Sequence, residues 1–266
     1  MVGFFHKMGH PIVQENTVEA EEIRELAVYS DVTNIYFSVH DKKQVHLVLE
    51  TFEKGPELGV QFMDRRLEIN LEFLKKRSFI QMKQNTSTLT IYLPRDCADY
   101  YHIHSSVGNI RFTDLFFIEG KFKTGAGNIK VEDVDAEKIT IESGAGNIRL
   151  NRVNTEDLHA VSGAGSIKGR ECRGKINIKS GAGNVDFHVD GEDDLSMKSG
   201  AGNISVGFSG IANLNAALQV SAGFGNVQTD FPLEGKKPSN LSGVLGNGDK
   251  QFIFKTGVGN INLYYP

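Results

Sequence analysis

Apolar and polar residues alternate along the C-terminal two thirds of this chain, and the alternation restarts at a near-constant interval. The origin of each unit is the asparagine of a Gly-Asn-Ile or Gly-Asn-Val phrase. Eight and six residues before it stand pairs such as Ile139 and Ile141, Leu158 and Ala160, Ile176 and Ile178, Leu195 and Met197, and Phe252 and Phe254. One and three residues after it come Ile129 and Val131, Ile148 and Leu150, Val185 and Phe187, Ile204 and Val206, and Ile261 and Leu263. A period of two is the mark of a strand with one buried face. Lys123, Thr140, Glu142, Arg149, Asn177, Lys179 and Lys198 fill the intervening positions and suit a solvated face. Each unit is therefore predicted as strand, glycine turn, second strand and polar return.

The origins are Asn109, Asn128, Asn147, Asn184, Asn203, Asn226 and Asn260, with Ser166 of SGAGSIKG in the missing place. From 109 to 203 the steps are 19, 19, 19, 18 and 19 residues, after which they lengthen to 23 and 34. One such unit cannot bury its apolar face alone, so units must stack and pair strand with equivalent strand. The expected fold is all-β, a single-stranded right-handed parallel β-helix, or β-solenoid, with rungs of about 19 residues. The hand follows by analogy, because left-handed coils of 18 residues are built from hexapeptides and no six-residue apolar period is visible.

Gly127, Gly146, Gly165, Gly183 and Gly202, each with the residue that follows, are then corners that take left-handed backbone conformations. Alanines 126, 145, 164, 182 and 201 are expected to point inward, where space is short. Stacked corner asparagines, about 4.8 Å apart, should form a ladder along one edge, with Ser166 its weak rung. Residues 1–17 are expected as an N-terminal cap or disordered segment and 18–266 as the solenoid. Within it, 18–100 form degenerate rungs and 101–266 regular ones. Asn34 stands 75 residues ahead of Asn109, close to four periods, which extrapolates to about twelve rungs and a length near 60 Å. A short helix capped by Thr17 over TVEAEEIREL is the alternative.

Composition narrows the function. About 39% of the 266 residues are apolar and 23% charged, as in a folded domain, and the formal net charge of −4 offers no field that favours nucleic acid. Cys97 and Cys172 are too few for a disulfide framework. No run approaches the roughly 20 apolar residues of a membrane span. The apolar run near the start is too short for a signal peptide's core, so the expected location is cytoplasmic, or the cell surface if a leader has been removed.

GAGNIK begins like a dinucleotide loop but lacks the third glycine and the following helix, and neutral corner asparagines do not suit calcium. His102 and His104 share one strand face without a visible third ligand. No cofactor, metal or catalytic residue is therefore expected. The one outward cluster that suits a ligand is Lys130, Arg149, Lys168, Arg170 and His188, with Asp186 among them, placed two and four residues after the corners. A uronate or phosphate fits that set, as does proton transfer.

LTIYLPRD, the series of SGAGNI phrases and the final FKTGVGNINLYY resemble the bacterial DUF4097 family of β-strand-repeat proteins, which carry the label adhesin, and the related head-GIN domain. The resemblance runs over roughly residues 20–266. It implies a right-handed β-helix, offers no catalytic residues, and places some relatives in cell-envelope stress. The function expected is a noncatalytic scaffold or interaction module whose partner is an unknown protein or envelope component. The alternative is a β-helix that binds or cleaves an acidic polysaccharide.

Overall fold

The period-two pattern becomes parallel pairing of each unit with the next. Ile129 lies beside Ile148 and Ile148 beside Ile167, and Ala145, Ala164 and Ala182 follow in the same register. The structure is a computed structural model that describes residues 11–73, 86–189, 193–209 and 214–265. Among the described residues every regular element is a strand, and all twenty join one long sheet that is not closed into a barrel.

Strands Ile110–Ala126, Ile129–Ala145, Ile148–Ala164 and Ile167–Ala182 each bend without losing their pairing. The bend is made by Asp114, Asp133, Arg152 and Glu171, with φ of 57°, 53°, 51° and 52°. These residues, not the asparagines, are the left-handed non-glycine positions of the repeat. The second corner of each unit was thus hidden behind ordinary charged residues.

At the glycine corner the physical reason also differs from expectation. A Cβ on Gly146, whose φ is 153°, would overlap the carbonyl oxygen of Gly127 one rung away, and a Cβ on Gly144 would overlap that of Gly125. Both glycines are there because the backbones touch, and Gly146 also adopts a conformation costly for any other residue. The alanines point outward and are exposed. The inward corner position is instead a hydroxyl: Thr124, Ser143, Ser162, Ser180 and Ser199 are buried, and each Oγ donates to a glycine carbonyl of the preceding rung at 2.8–3.1 Å. A small inward residue is needed there, but one with a donor, since the carbonyl it meets would otherwise be buried unpaired.

Inside the stack, the middle rungs are filled by Ile129, Ile139, Ile148, Leu158, Ile167, Ile176 and Ile178, each at most 1% exposed. The ends are filled by aromatic groups. Phe112 stacks on Phe122 at 3.9 Å with Tyr101 and Phe117 beside them, and Phe208 meets Phe231, Phe252 and Phe254. Gly120 leaves room for Phe117 and Phe122, and Gly169 for the buried ring of Phe187 farther along the stack, because a Cβ on either would collide with them.

The first hundred residues continue the stack by fewer rungs than the spacing suggests: beyond Glu25–Val39, Arg66–Leu71 pairs in parallel with Glu25–Ser30 and Ser87–Leu93 with Thr33–Val39, on the side opposite Tyr100–Val107. Asn34 is one rung from Asn109, not four: Asn109 N–H donates to Asn34 Oδ1 at 2.9 Å, and Glu25–Val32 pairs in parallel with Tyr100–Val107. The intervening chain makes antiparallel pairs, Gln44–Thr51 with Ser87–Leu93 and Glu57–Met63 with Arg66–Glu72, which lengthen the two faces at that end. Residues 12–17 are not a disordered segment, because Ile12–Glu19 pairs antiparallel with Gln44–Thr51. No helix forms after Thr17, and residues 1–10 lie outside the described residues.

The other end departs from chain order. Lys250–Val258 lies between Leu195–Ala201 and Ala216–Phe224, parallel to both, so the last rung in sequence is the penultimate one in space. The steps of 23 and 34 residues are explained: the spatial order of corners is Asn203, Asn260, Asn226. Counted from Asn34, nine such corners stand among the described residues, against the twelve periods extrapolated.

Candidate functional site

The columns of outward residues set the chemistry of the surface, because parallel in-register pairing brings the same position of successive rungs side by side. Arg111, Lys130, Arg149, Lys168 and Asp186 form one column after the glycine corner. Glu132, Asn151 and Arg170 form the next. The residues expected to cluster are thus neighbours, but most are already engaged. Lys130 Nζ lies 2.8 Å from Glu132, and this hydrogen bond holds the Glu132 carboxyl below its ordinary range. Arg170 grips Asp186 with both terminal nitrogens, at 3.0–3.1 Å. His188 packs over Gly207, where a Cβ would strike its ring, and its edge faces Tyr264 at 5.8 Å. Arg149 and Lys168 remain exposed, without an anionic partner among the described residues.

The corner positions make a different column of bonds. Asn128, Asn147, Ser166, Asn203, Asn260 and Asn226 each donate their backbone N–H to the side-chain oxygen of the asparagine one rung before, at 2.8–3.0 Å. Asn184 N–H must use Ser166 Oγ, at 3.3 Å. Amide-to-amide donation occurs from Asn109 to Asn34 and from Asn128 to Asn109. The asparagine's work is thus to satisfy the backbone at a corner where the ladder opens.

The left-handed bend carries a second group of charged residues, which the period-two pattern does not reveal. A shallow cavity of about 750 Å³ is lined by Arg95, Asp114, Asp133, Asp135, Arg152 and Glu171, among others. Arg152 makes a two-pronged contact with Asp133, and Arg95 reaches Asp114 at 3.0 Å and Asp135 at 2.9 Å. The hydrogen bond from Arg152 holds the Asp133 carboxyl below its usual range. The 19-residue spacing of positions 114, 133 and 152 was available in the sequence, but only the two aspartates are of a type that favours the left-handed region, and arginine and glutamate at the next two positions break the signature. His102 lies 3.6 Å from Glu25. Cys97 and Cys172 are buried, and burial pushes both thiols up to about 12, which makes them poor nucleophiles.

Among the described residues no helix is long and apolar enough to cross a membrane. The class defined by this arrangement is an all-β, solenoid-like repeat protein whose surface chemistry is set by columns of side chains. The chain belongs to the Toastrack DUF4097 family, whose model matches residues 23–264. No match was found among curated proteins. The structure of a putative adhesin from Bacteroides fragilis is similar, with 15% identity, a TM-score of 0.55, and 95% of this chain and 97% of that one covered. A putative adhesin from Parabacteroides distasonis is similar at 10% identity and a TM-score of 0.49, over 96% of this chain and 97% of the other. At these identities the likeness concerns the fold.

Proposed function

We propose that this chain is a noncatalytic interaction module. In this reading it is a right-handed β-helix with rungs of about 19 residues, braced by an asparagine ladder. Its outward faces engage a component of the bacterial cell envelope. The observation that carries the reading is the state of the acid and base groups in the outward cluster. Asp186 is held by Arg170, Glu132 by Lys130, and His188 is packed over Gly207 against Tyr264. Both carboxylates of that cluster are held by cations, and His188 has no acid or base beside it as a hydrogen-bond partner, so no coupled acid–base pair is assembled and what the cluster presents to solvent is charge and shape. The Bacteroides fragilis relative, described as a putative adhesin, accords with binding rather than turnover.

The test is incubation with soluble uronate polymers, measuring new chain ends. None are expected. Steady release of ends by the wild-type protein, abolished in Arg149→Ala/Lys168→Ala, would overturn the noncatalytic reading.

A further inference from the structure

Charge is distributed unevenly about the glycine–asparagine edge. On one side, five residues before the corner position, the outward column runs Lys123, Glu142, Val161, Lys179, Lys198 and Lys255. On the other side, two residues after it, stand Arg111, Lys130, Arg149, Lys168 and Asp186. Eight cations thus meet two carboxylates, on a chain whose formal net charge is −4.

Glu142 takes Lys123 at 3.0 Å, and Glu132 takes Lys130 and Arg111. Lys179, Lys198, Lys255, Arg149 and Lys168 have no anionic partner among the described residues. Like charges opposite one another on neighbouring strands repel. Elsewhere on the same run the repeat avoids this, by alternating Glu119, Lys138, Asp157 and Lys175. Uncompensated charge is therefore a property of this edge and not of the repeat.

Between the two columns lies an uncharged crest of exposed glycines, alanines and asparagines. The alanine column ends in Val258 and Phe224, side by side in register and 56% and 80% exposed. Phe224 is the most exposed large apolar residue described, and it sits beside the rung that carries Lys255.

We infer that this edge docks on an anionic lipid surface, with the crest against the bilayer and the two cationic columns on its flanks. The inference rests on the interaction-module reading and names its partner. Long basic side chains on both flanks reach the headgroups while their stems stay along the protein, and Phe224 and Val258 enter the interfacial layer. A single linear polyanion would meet one column and leave the other column and Phe224 unused. A plane of anions engages all three.

The experiment is co-sedimentation of the whole chain with vesicles of equal parts phosphatidylserine and phosphatidylcholine, against phosphatidylcholine alone. Association is expected only with the first, and weaker as salt rises. Each basic residue at such a surface is worth about fivefold in affinity. Lys179→Gln/Lys198→Gln/Lys255→Gln should therefore bind on the order of 100-fold more weakly. Lys42→Gln/Lys54→Gln/Lys138→Gln, the same charge change away from the crest, should stay within about threefold. Phe224→Ser should weaken binding without moving the melting temperature, since its ring is solvated already. Equal association with both vesicle types, equal loss in the two triple variants, or preference for a soluble polyuronate over the vesicles would overturn the inference. None of these touches the noncatalytic reading, which the cleavage assay decides separately.

Discussion

The corner asparagine acts through one acceptor atom. Asn147 Oδ1 receives the backbone N–H of Ser166 at 2.9 Å, while Asn147's own N–H goes to Asn128. Its backbone is not left-handed, so valine at 147 escapes that strain and loses only the acceptor, as alanine or glycine does. Asn147→Ala should cost about 1–2 kcal/mol, because it orphans one N–H at a corner that water only partly reaches. Ser166→Asn should stabilise by about 0.5–1 kcal/mol, by replacing the long contact to Asn184. Chemical denaturation of the two variants checks both signs, and a neutral Asn147→Ala would mean that water serves the corner equally well.

His159 provides a pH test. Burial first, and Lys179 second, lower its pKa from 6.5. The unfolded chain therefore takes up a proton before the folded one does, and stability present above that range is lost as pH falls through it. Melting temperature should drop on acidification from about pH 7.5 to 5.5, by an amount worth no more than about 1 kcal/mol because the ring is partly solvated, and less in His159→Gln.

At the scale of the strand, alternation decides what each position tolerates. Ile178 is fully buried between Ala160 and Met197, and its neighbour Lys179 is exposed between Val161 and Lys198. Ile178→Asp should cost about 3–5 kcal/mol, because no partner meets the new charge. Lys179→Glu should leave stability unchanged or raise it by about 0.5 kcal/mol, through relief of the repulsion with Lys198. Denaturation midpoints measured side by side give the comparison, and similar losses at both positions would contradict the assigned faces. This alternation was legible from residues alone, as was the parity that buries Phe187, Phe252 and Phe254. The outward alanines were not, because a small residue beside a corner suits either face until the carbonyl it would meet is known.

Over the whole molecule the order of stacking matters more than the order of the chain. Lys250–Val258 and Ile261–Tyr264 are wedged between the rung of Leu195–Phe208 and that of Ala216–Thr229. In a solenoid stacked in chain order, loss of the last rung leaves the rest intact. Here, truncation after Asp249 removes an internal rung and strips both neighbours of their partner, including Phe252 and Phe254 from the aromatic end of the core. The truncated chain should lose its cooperative melting transition over 195–249 and expose strand edges that promote aggregation, as judged by calorimetry and light scattering. Retention of the full transition would show that the wedge is dispensable.

Local chemistry was written in the residues: strand, corner, buried face and the outward columns all follow from period two and from a 19-residue repeat, because backbone pairing transmits both directly into space. Three things required the tertiary structure. The left-handed bend at Asp114, Asp133, Arg152 and Glu171 has only a partial compositional signal, since aspartate favours that conformation but at Arg152 and Glu171 the sheet on either side imposes it. Asn34 joins Asn109, and Asn260 inserts between Asn203 and Asn226, because a strand edge accepts any segment with the right alternation and does not register how much chain lies between. The unpaired cations along the crest also emerge only from the stack, since Lys179, Lys198 and Lys255 are far apart in sequence and become neighbours when the last rung slides beside the rung of Leu195–Ala201.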